Sequence, residues 1–385
     1  MSLRFSDVFS LQMGKTPARN NPAYWGGTQN WISISDMNDK YISKTREQIS
    51  DAAISETGIK LVPKGTVIMS FKLSIGKVSI TAEDTYTNEA IMAFINKGIY
   101  DIDNDYLYHY LKAQDWSVGS NKAVKGSTLN KSVLEKRDIS FPSKTEQQKI
   151  SYKLNLADEA ISRCHQIEDT LDQLVKSRFI EMFGDPVKNQ HGYPLVSLSE
   201  YIDFLTSGSR GWAKYCVNDG DEWFITIKNV KNCRITTENM QSVHAPKNAE
   251  AQRTRVQEGD LLISITADLG RTGVVSKEIA NHGAYINQHL SCIRLKKGKL
   301  LPLYVAYFME SPAGKMQFFT KNQSAVKAGL NFDSIKSLRL LAPPIKLQED
   351  FVSFIDDIDK SKLAVKECLE KAEYLKSALM QEYFG

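Results

Sequence analysis

The sequence predicts an α+β chain: two strand-rich domains joined by two long helices that pair as an antiparallel coiled coil, the whole related by a pseudo-twofold internal repeat. The first observation behind this is self-similarity within the 385 residues. Shifted by 201 positions, Leu129-Asn130 falls on Leu330-Asn331, Leu134 on Ile335, Ile139 on Leu340, Pro142 on Pro343, Gln147 on Gln348 and Phe183-Gly184 on Phe384-Gly385. Upstream, Gly65, Ser70, Gly76 and Lys77 fall on Gly259, Ser264, Gly270 and Arg271 at a shift of 194, and Asn88-Glu89 on Asn287-Gln288 at 199. Loops have changed length on a kept framework. A period this long marks a duplicated domain, since solenoid units run to about 20–50 residues.

The second observation is a pair of long apolar stripes. Between 145 and 183, Ile150, Leu154, Ala157, Ile161, Cys164, Ile167, Leu171, Leu174, Val175 and Met182 recur at spacings of three and four, with neither proline nor glycine before Gly184. Ser143 or Thr145 suits the N-cap, and Gly184-Asp185-Pro186 suits the stop. The second copy repeats the stripe with Phe351, Ile355, Ile358, Val365, Leu369, Ala372, Leu375, Leu379 and Tyr383; Lys362 interrupts it where Ile161 stands in the first. Stripes this long and narrow call for a partner helix. Ile150, Leu154, Ala157, Ile161, Leu171, Phe351, Ile355, Ile358, Val365, Leu375 and Leu379 are the expected seam. Chain order makes the pair antiparallel and puts the domains at its opposite ends; some 38 residues at ~1.5 Å each span ~57 Å.

The third observation is strand patterning in both domains. Strands are expected at 31–34, 66–69, 78–81 and 90–95, and again at 223–227, 260–265, 274–275 and 290–295. Helices are expected at 105–114, 132–136, 303–309 and 333–337. The resulting division is 1–144 and 187–344 for the two domains, 145–186 and 345–385 for the helical spacers.

Charge follows the same division. The net charge of +4 splits into +3 for 1–144, +7 for 187–344, and −3 for each of 145–186 and 345–385. Basic domains on acidic connectors suit an approach to a polyanion by the domains alone. No apolar run reaches the ~18 residues a membrane span needs, and the N-terminal residues lack a signal-peptide core, so no membrane association and a cytoplasmic location are expected. The five cysteines (Cys164, Cys216, Cys233, Cys292 and Cys368) show no Cys-x-x-Cys pairing and read as reduced, largely buried thiols.

No catalytic centre emerges. Gly14-Lys15-Thr16 lacks the earlier glycine of a phosphate-binding loop, which is Phe9 here. Asn21-Pro22-Ala23-Tyr24 resembles an amino-methyltransferase motif, but no glycine-rich strand-turn-helix for S-adenosylmethionine accompanies it, and a turn explains it better. Asp185 with Lys188 is better explained by helix termination than by a nuclease site. The six histidines show no metal-ligand spacing, and Gly208-Ser209-Arg210-Gly211 misses the nucleophile-elbow pattern. Polar residues in turns are the better candidates, for DNA: Lys15, Thr16, Lys72, Ser74, Lys77, Asn88 and Lys125 in the first domain. Their counterparts in the second are Arg210, Trp212, Lys214, Asp268, Arg271, Asn287, Gln288, His289 and Lys327. Lys and Arg neutralise phosphates, Arg reads guanine edges, and Asn or Gln read adenine.

The order of motifs resembles that of the specificity subunit of type I restriction-modification systems. Gly14-Lys15-Thr16-Pro17, Asn21-Pro22-Ala23-Tyr24-Trp25-Gly26-Gly27 and Trp31-Ile32-Ser33-Ile34-Ser35-Asp36 follow the family's opening progression. Ile75-Gly76-Lys77-Val78, Thr87-Asn88, Leu129-Asn130 and 142–150 follow its later signatures, while the second domain departs at Ser207-Gly208-Ser209-Arg210-Gly211, which lacks the proline. The resemblance implies a bacterial or archaeal DNA-binding protein without catalytic residues, cofactor or metal of its own. Each domain would be a target recognition domain for one half of an asymmetric bipartite site on double-stranded DNA, with the coiled coil setting the gap. Two modification (methyltransferase) subunits would carry S-adenosylmethionine, and restriction (translocase and nuclease) subunits would use ATP and magnesium. The rival readings are a stand-alone adenine methyltransferase or nuclease, and a coiled-coil adaptor that never touches DNA.

Overall fold

Both amphipathic runs form single helices, Lys144–Phe183 and Ile345–Phe384, of 40 residues each, in the computed structural model, which describes residues 3–116, 121–123, 126–208, 210–323 and 329–385. Ser143 is the N-terminal cap of the first, its Oγ accepting the Glu146 N–H at 3.4 Å. Gly184 ends it in the left-handed region, φ 74°, with its N–H donating to Ile180 O. The chain divides into two units, Met1–Gln166 with Lys366–Gly385, and Ile167–Val365. Each unit thus holds stretches of both helices.

In the first unit a five-stranded sheet runs in the order Phe9–Met13, Ile91–Asn96, Val67–Ser70, Val78–Thr81, Tyr41–Ile42. The pairs are antiparallel except the last, which is parallel. Strand Val67–Ser70 is buried on both faces: Val67 and Met69 join a core with Phe5, Phe9 and Leu107, while Ile68 joins Ile32, Ile42 and Ile91 on the other side. Two-sided burial explains its apolar run Val67-Ile68-Met69. Trp25–Ile32 lies between Glu47–Ile49 and Tyr86–Thr87 in a smaller sheet.

The second unit repeats this plan with six strands, Ile202–Ser207, Leu290–Leu295, Leu261–Ser264, Thr272–Val274, Cys233–Ile235 and Val230–Lys231. Leu261 and Ile263 face one core and Leu262 the other. Helices Asn104–Ala113 and Pro302–Glu310 follow the matched strands, as expected. The expected α+β class with its internal repeat is what the chain adopts. Strands Phe9–Met13 and Ile202–Ser207, and helix Pro312–Gln323, which has no first-unit equivalent among the described residues, were not expected. Cys164, Cys233 and Cys292 are buried and Cys216 half-buried, whereas Cys368 is exposed.

The duplicated glutamine explains itself in the structure. Gln147 is 1% exposed; its Oε1 accepts the Asp103 N–H at 2.9 Å and its Nε2 donates to Pro142 O at 2.9 Å. Gln348, 0% exposed, does the same for Leu301 N–H (2.9 Å) and Pro343 O (2.8 Å). Asp103 and Leu301 are the N-caps of the matched helices, so each glutamine pins a domain helix to the start of a long one. Leucine in place of Gln147 leaves a half-buried N–H and a half-buried carbonyl without their partner. Q147L should cost about 1–3 kcal/mol in urea unfolding, and Q348L a similar amount.

Helix pairing within each unit is antiparallel. In the first, Lys153 donates to the Tyr383 hydroxyl (2.8 Å), Asp158 pairs with Lys376, and Ile150 and Leu154 pack with Leu379, Met380 and Phe384. In the second, Asp172 pairs with Lys362, and Phe179 and Phe183 lie 5.4 Å from Phe351, ring centre to ring centre. Lys362 therefore enters the stripe because a carboxylate awaits it. Leu171 packs against the core of Phe351, Ile355 and Ile358; Ala157 is buried, Ile161 and Val365 half-buried. Leu375 departs from its expected place: it is 53% exposed. Lys376, reaching Asp158, and Ala372 and Leu379 take the inward row instead.

Candidate nucleic-acid interface

Antiparallel pairing gathers the candidate loops at one end of each main sheet. In the first unit Met13 stands opposite Met92, Ser70 opposite Ile91 and Met69 opposite Val78, so loops 14–17, 71–77 and 87–90 leave from the same end. In the second, Ser207 opposite Ser291, Ser264 opposite Leu290 and Ile263 opposite Thr272 bring the end of strand Ile202–Ser207 to the same end as loops 265–271 and 287–289. Gly14 and Gly208 permit the closeness. A Cβ on Gly14 would lie 2.2 Å from Thr87 O, and one on Gly208 2.1 Å from Asn287 O.

The turns 70–77 and 264–271 are built alike. Ser70 O accepts the Gly76 N–H at 3.0 Å, and its Oγ accepts the Lys77 N–H at 3.0 Å and donates to Ser74 O. Ser264 O accepts from Gly270 N (3.0 Å), and its Oγ accepts from Arg271 N (2.9 Å) and donates to Asp268 O. Both glycines have positive φ, 89° and 78°, and both lie under an aromatic ring, Trp116 in one case and Phe318 in the other. The residues common to both copies therefore serve the turn.

The other candidates are placed as follows. Lys72 Nζ sits 4.0 Å from the sulfur of exposed Met13, and Ser74 is exposed. Lys77 Nζ reaches Ile34 O and Asn38 Oδ1, both at 3.4 Å. Lys15 donates to Thr57 O and Thr16 to the Glu89 carboxylate, so neither is poised as in a phosphate-binding loop. Asn88 Oδ1 accepts from Ala90 N (3.0 Å) and Asn287 Oδ1 from His289 N (3.1 Å), each closing its own turn. Gln288 Nε2 lies 3.1 Å from His289 Nε2, and His289 Nδ1 2.6 Å from Thr266 Oγ1. An amide nitrogen only donates, so the neutral imidazole carries its proton on Nδ1 and gives it to Thr266. Arg271 is paired with Asp268, Arg210 is exposed, and exposed Lys214 has its ammonium 4.9 Å from the Tyr215 ring centre. Lys125 and Lys327 lie outside the described residues.

Trp212 is a correction. It is 2% exposed, stacked on Phe224 at 5.7 Å with a 5° interplanar angle and tilted against Tyr285 at 5.1 Å. An indole sealed in this cluster with Val243 and Ala251 cannot also meet DNA. The Asn-Pro-Ala-Tyr segment is a turn: Asn21 Oδ1 accepts the Ala23 N–H at 3.1 Å, Tyr24 donates to Glu56 at 2.8 Å, and Gly27 faces Ile49 O, where a Cβ would lie 2.3 Å away. What the sequence left unmarked is the pair of turn tips: exposed Leu73 at φ 67° and exposed Ala267 at φ 59°.

Comparison with known proteins gives most of the chain a family context. The family model for the type I restriction modification DNA specificity domain matches residues 1–173 and 217–373. The MjaIX type I specificity subunit of Methanocaldococcus jannaschii is 30% identical over 49% of this chain and 45% of its own length, and the HindI specificity subunit of Haemophilus influenzae 28% over 36% and 31%. In these matches the chain spans less than half the length of either relative. A crystal structure of a type I S subunit from M. genitalium matches over 100% of this chain and 96% of its own, with a TM-score of 0.61 and 13% identity. A chain from a structural study of type I R-M assembly matches over 100% and 97%, with a TM-score of 0.59 and 16% identity. These two likenesses concern the fold.

Proposed function

Since the chain belongs to the type I restriction-modification DNA specificity family, we propose that it reads DNA for a type I complex, and that domains 1–144 and 187–344 each recognise one half of an asymmetric bipartite site. Its part is recognition without catalysis. The helical spacers 145–186 and 345–385 set the gap between half-sites and dock two modification subunits, which bring S-adenosylmethionine; restriction subunits bring ATP and magnesium chemistry. Lys72, Ser74 and Lys77 on one turn, and Asp268 and Arg271 on the other, stand among the DNA contacts.

The observation that carries this reading is the matched pair of turns. One backbone device, with the same serine and glycine, presents different side chains in the two units. A duplicated device with unequal tips fits two unequal half-sites. The helices support the docking role, because they leave Leu156, Ile167, Leu174, Leu363 and Tyr374 exposed and carry net negative charge. Such a surface suits protein and repels phosphate. No helix among the described residues is long and apolar enough to cross a membrane.

Methylation mapping of the source genome, with and without this gene, tests the proposal. A gapped, two-part adenine-methylated motif should vanish on deletion; a motif unaffected by deletion would refute it. Seven residues inserted in phase into both long helices add ~10 Å, which at ~3.4 Å per base pair is a gap longer by about three base pairs. The half-site sequences should stay the same, and an unchanged gap would count against the spacer role.

A further inference from the structure

The tip of each turn carries a side chain in a backbone conformation that glycine would adopt more readily. Leu73 has φ 67° and is 57% exposed; Ala267, at the matched position, has φ 59° and is exposed. L-residues with a Cβ are disfavoured in this region, β- or γ-branched ones included. Three positions further on, at Gly76 and Gly270, both turns do use glycine for positive φ. Strain is thus avoided where no side chain is needed and kept at the tip.

The rest of the turn fixes the tip in place. Ile75 and Leu269, two positions on, pack inward against their cores, so the tips are held from below. The Ser70 and Ser264 bonds close both turns, and Leu73 pairs with the backbone of Ser127 in a small sheet. Lys72 adjoins it in sequence, and the lysine ammonium reaches the sulfur of exposed Met13 at 4.0 Å. A lone exposed leucine is ordinary. A strained exposed leucine, rigidly held at the end of a basic loop and repeated as alanine in the other copy, has a use.

We propose that Leu73 and Ala267 are specificity-determining residues that touch base edges of the two half-sites in the major groove, Leu73 by apolar contact of the kind a thymine methyl group offers. This rests on the DNA-reading function above. The glycine variant removes the side chain and relieves the backbone, so its melting temperature should be no lower than that of the parent; L73N, which tolerates the same φ, serves as a second variant. In methylation mapping of cells carrying the whole set of system genes, L73G should relax one position of one half-site, with methylation at sites altered there rising at least about tenfold. The other half should be untouched. A267L should alter a position in the other half only. An unchanged L73G motif, or a uniform loss of methylation at every site, overturns the assignment while leaving DNA reading intact. Absence of any gene-dependent motif in the parent overturns both.

Discussion

Alanine in place of Phe351 is expected to lower the unfolding free energy by about 3–5 kcal/mol, the range for deleting a fully buried aromatic side chain. Phe351 is 0% exposed, and its ring is 5.4 Å from each of Phe179, Phe183 and Tyr307. Phe183 in turn lies 4.8 Å from Tyr304, whose hydroxyl donates to Leu341 O at 2.9 Å. Both long helices and helix Pro302–Glu310 therefore meet on this one side chain. Removing it leaves a hole ringed by aromatic groups that cannot all move inward. The matched control is Leu375→Ala, which is expected to change stability by less than about 0.5 kcal/mol because it is largely exposed. Urea denaturation of the two variants decides the point: equal effects would mean that the aromatic junction does not hold the second unit together.

That contrast also shows where sequence reasoning stops. The long helices were legible because an apolar stripe runs for about nine turns without proline or glycine, and Val67–Ser70 because burial on both faces favours an apolar run. Leu375 misled because it sits one position from Lys376, and the ion pair with Asp158 that turns the lysine inward involves a residue far away in sequence. Trp212 misled in the same way. Beside Gly211 and Lys214 it looks like a loop aromatic, and its actual partners, Phe224 and Tyr285, come from separate strands. Gln147 and Gln348 could be matched but not interpreted, since the backbone groups they serve are fixed only by the fold. The turn tips left no trace at all. Positive φ is signalled in a sequence by glycine or asparagine, and a leucine in that conformation resembles any other leucine.

Acidification from pH 6.5 to pH 4 is expected to cost the folded chain roughly 3 kcal/mol through His109 alone. This side chain is 1% exposed, and burial pushes its pKa down from 6.5 to about 4, against the opposing effects of its hydrogen bond to Asn155 and of Asp158. Its protonation state follows from its neighbours. Asn155 Nδ2 donates to the Asp105 carboxylate at 2.9 Å, which turns Oδ1 toward Lys40 Nζ at 2.6 Å and His109 Nε2 at 2.8 Å. An amide oxygen only accepts, so the neutral imidazole carries its proton on Nε2. A second proton would bring positive charge close to Lys40 and Lys376, out of reach of water. Between pH 6.5 and 4 the unfolded chain binds a proton that the folded chain refuses, so stability is complete above 6.5, declines with falling pH, and levels off with respect to this group below 4. For Asp105 the cost of burial is outweighed by Tyr41, Lys40 and Asn155, so its pKa is lowered overall, and it adds a further loss as pH falls through the ordinary carboxylate range and below it. The glutamine variant H109Q keeps an amide donor for Asn155 and cannot titrate. Its stability, measured by urea unfolding at half-unit intervals of pH, should be nearly flat from 6.5 to 4 where the parent slopes; parallel slopes in the two proteins would remove His109 as the cause. At the matched position the second unit has Tyr307, which lies against Phe351 in the aromatic junction. Acid sensitivity of this kind should therefore be confined to the first unit, and amide exchange across the same pH range should show it opening before the second.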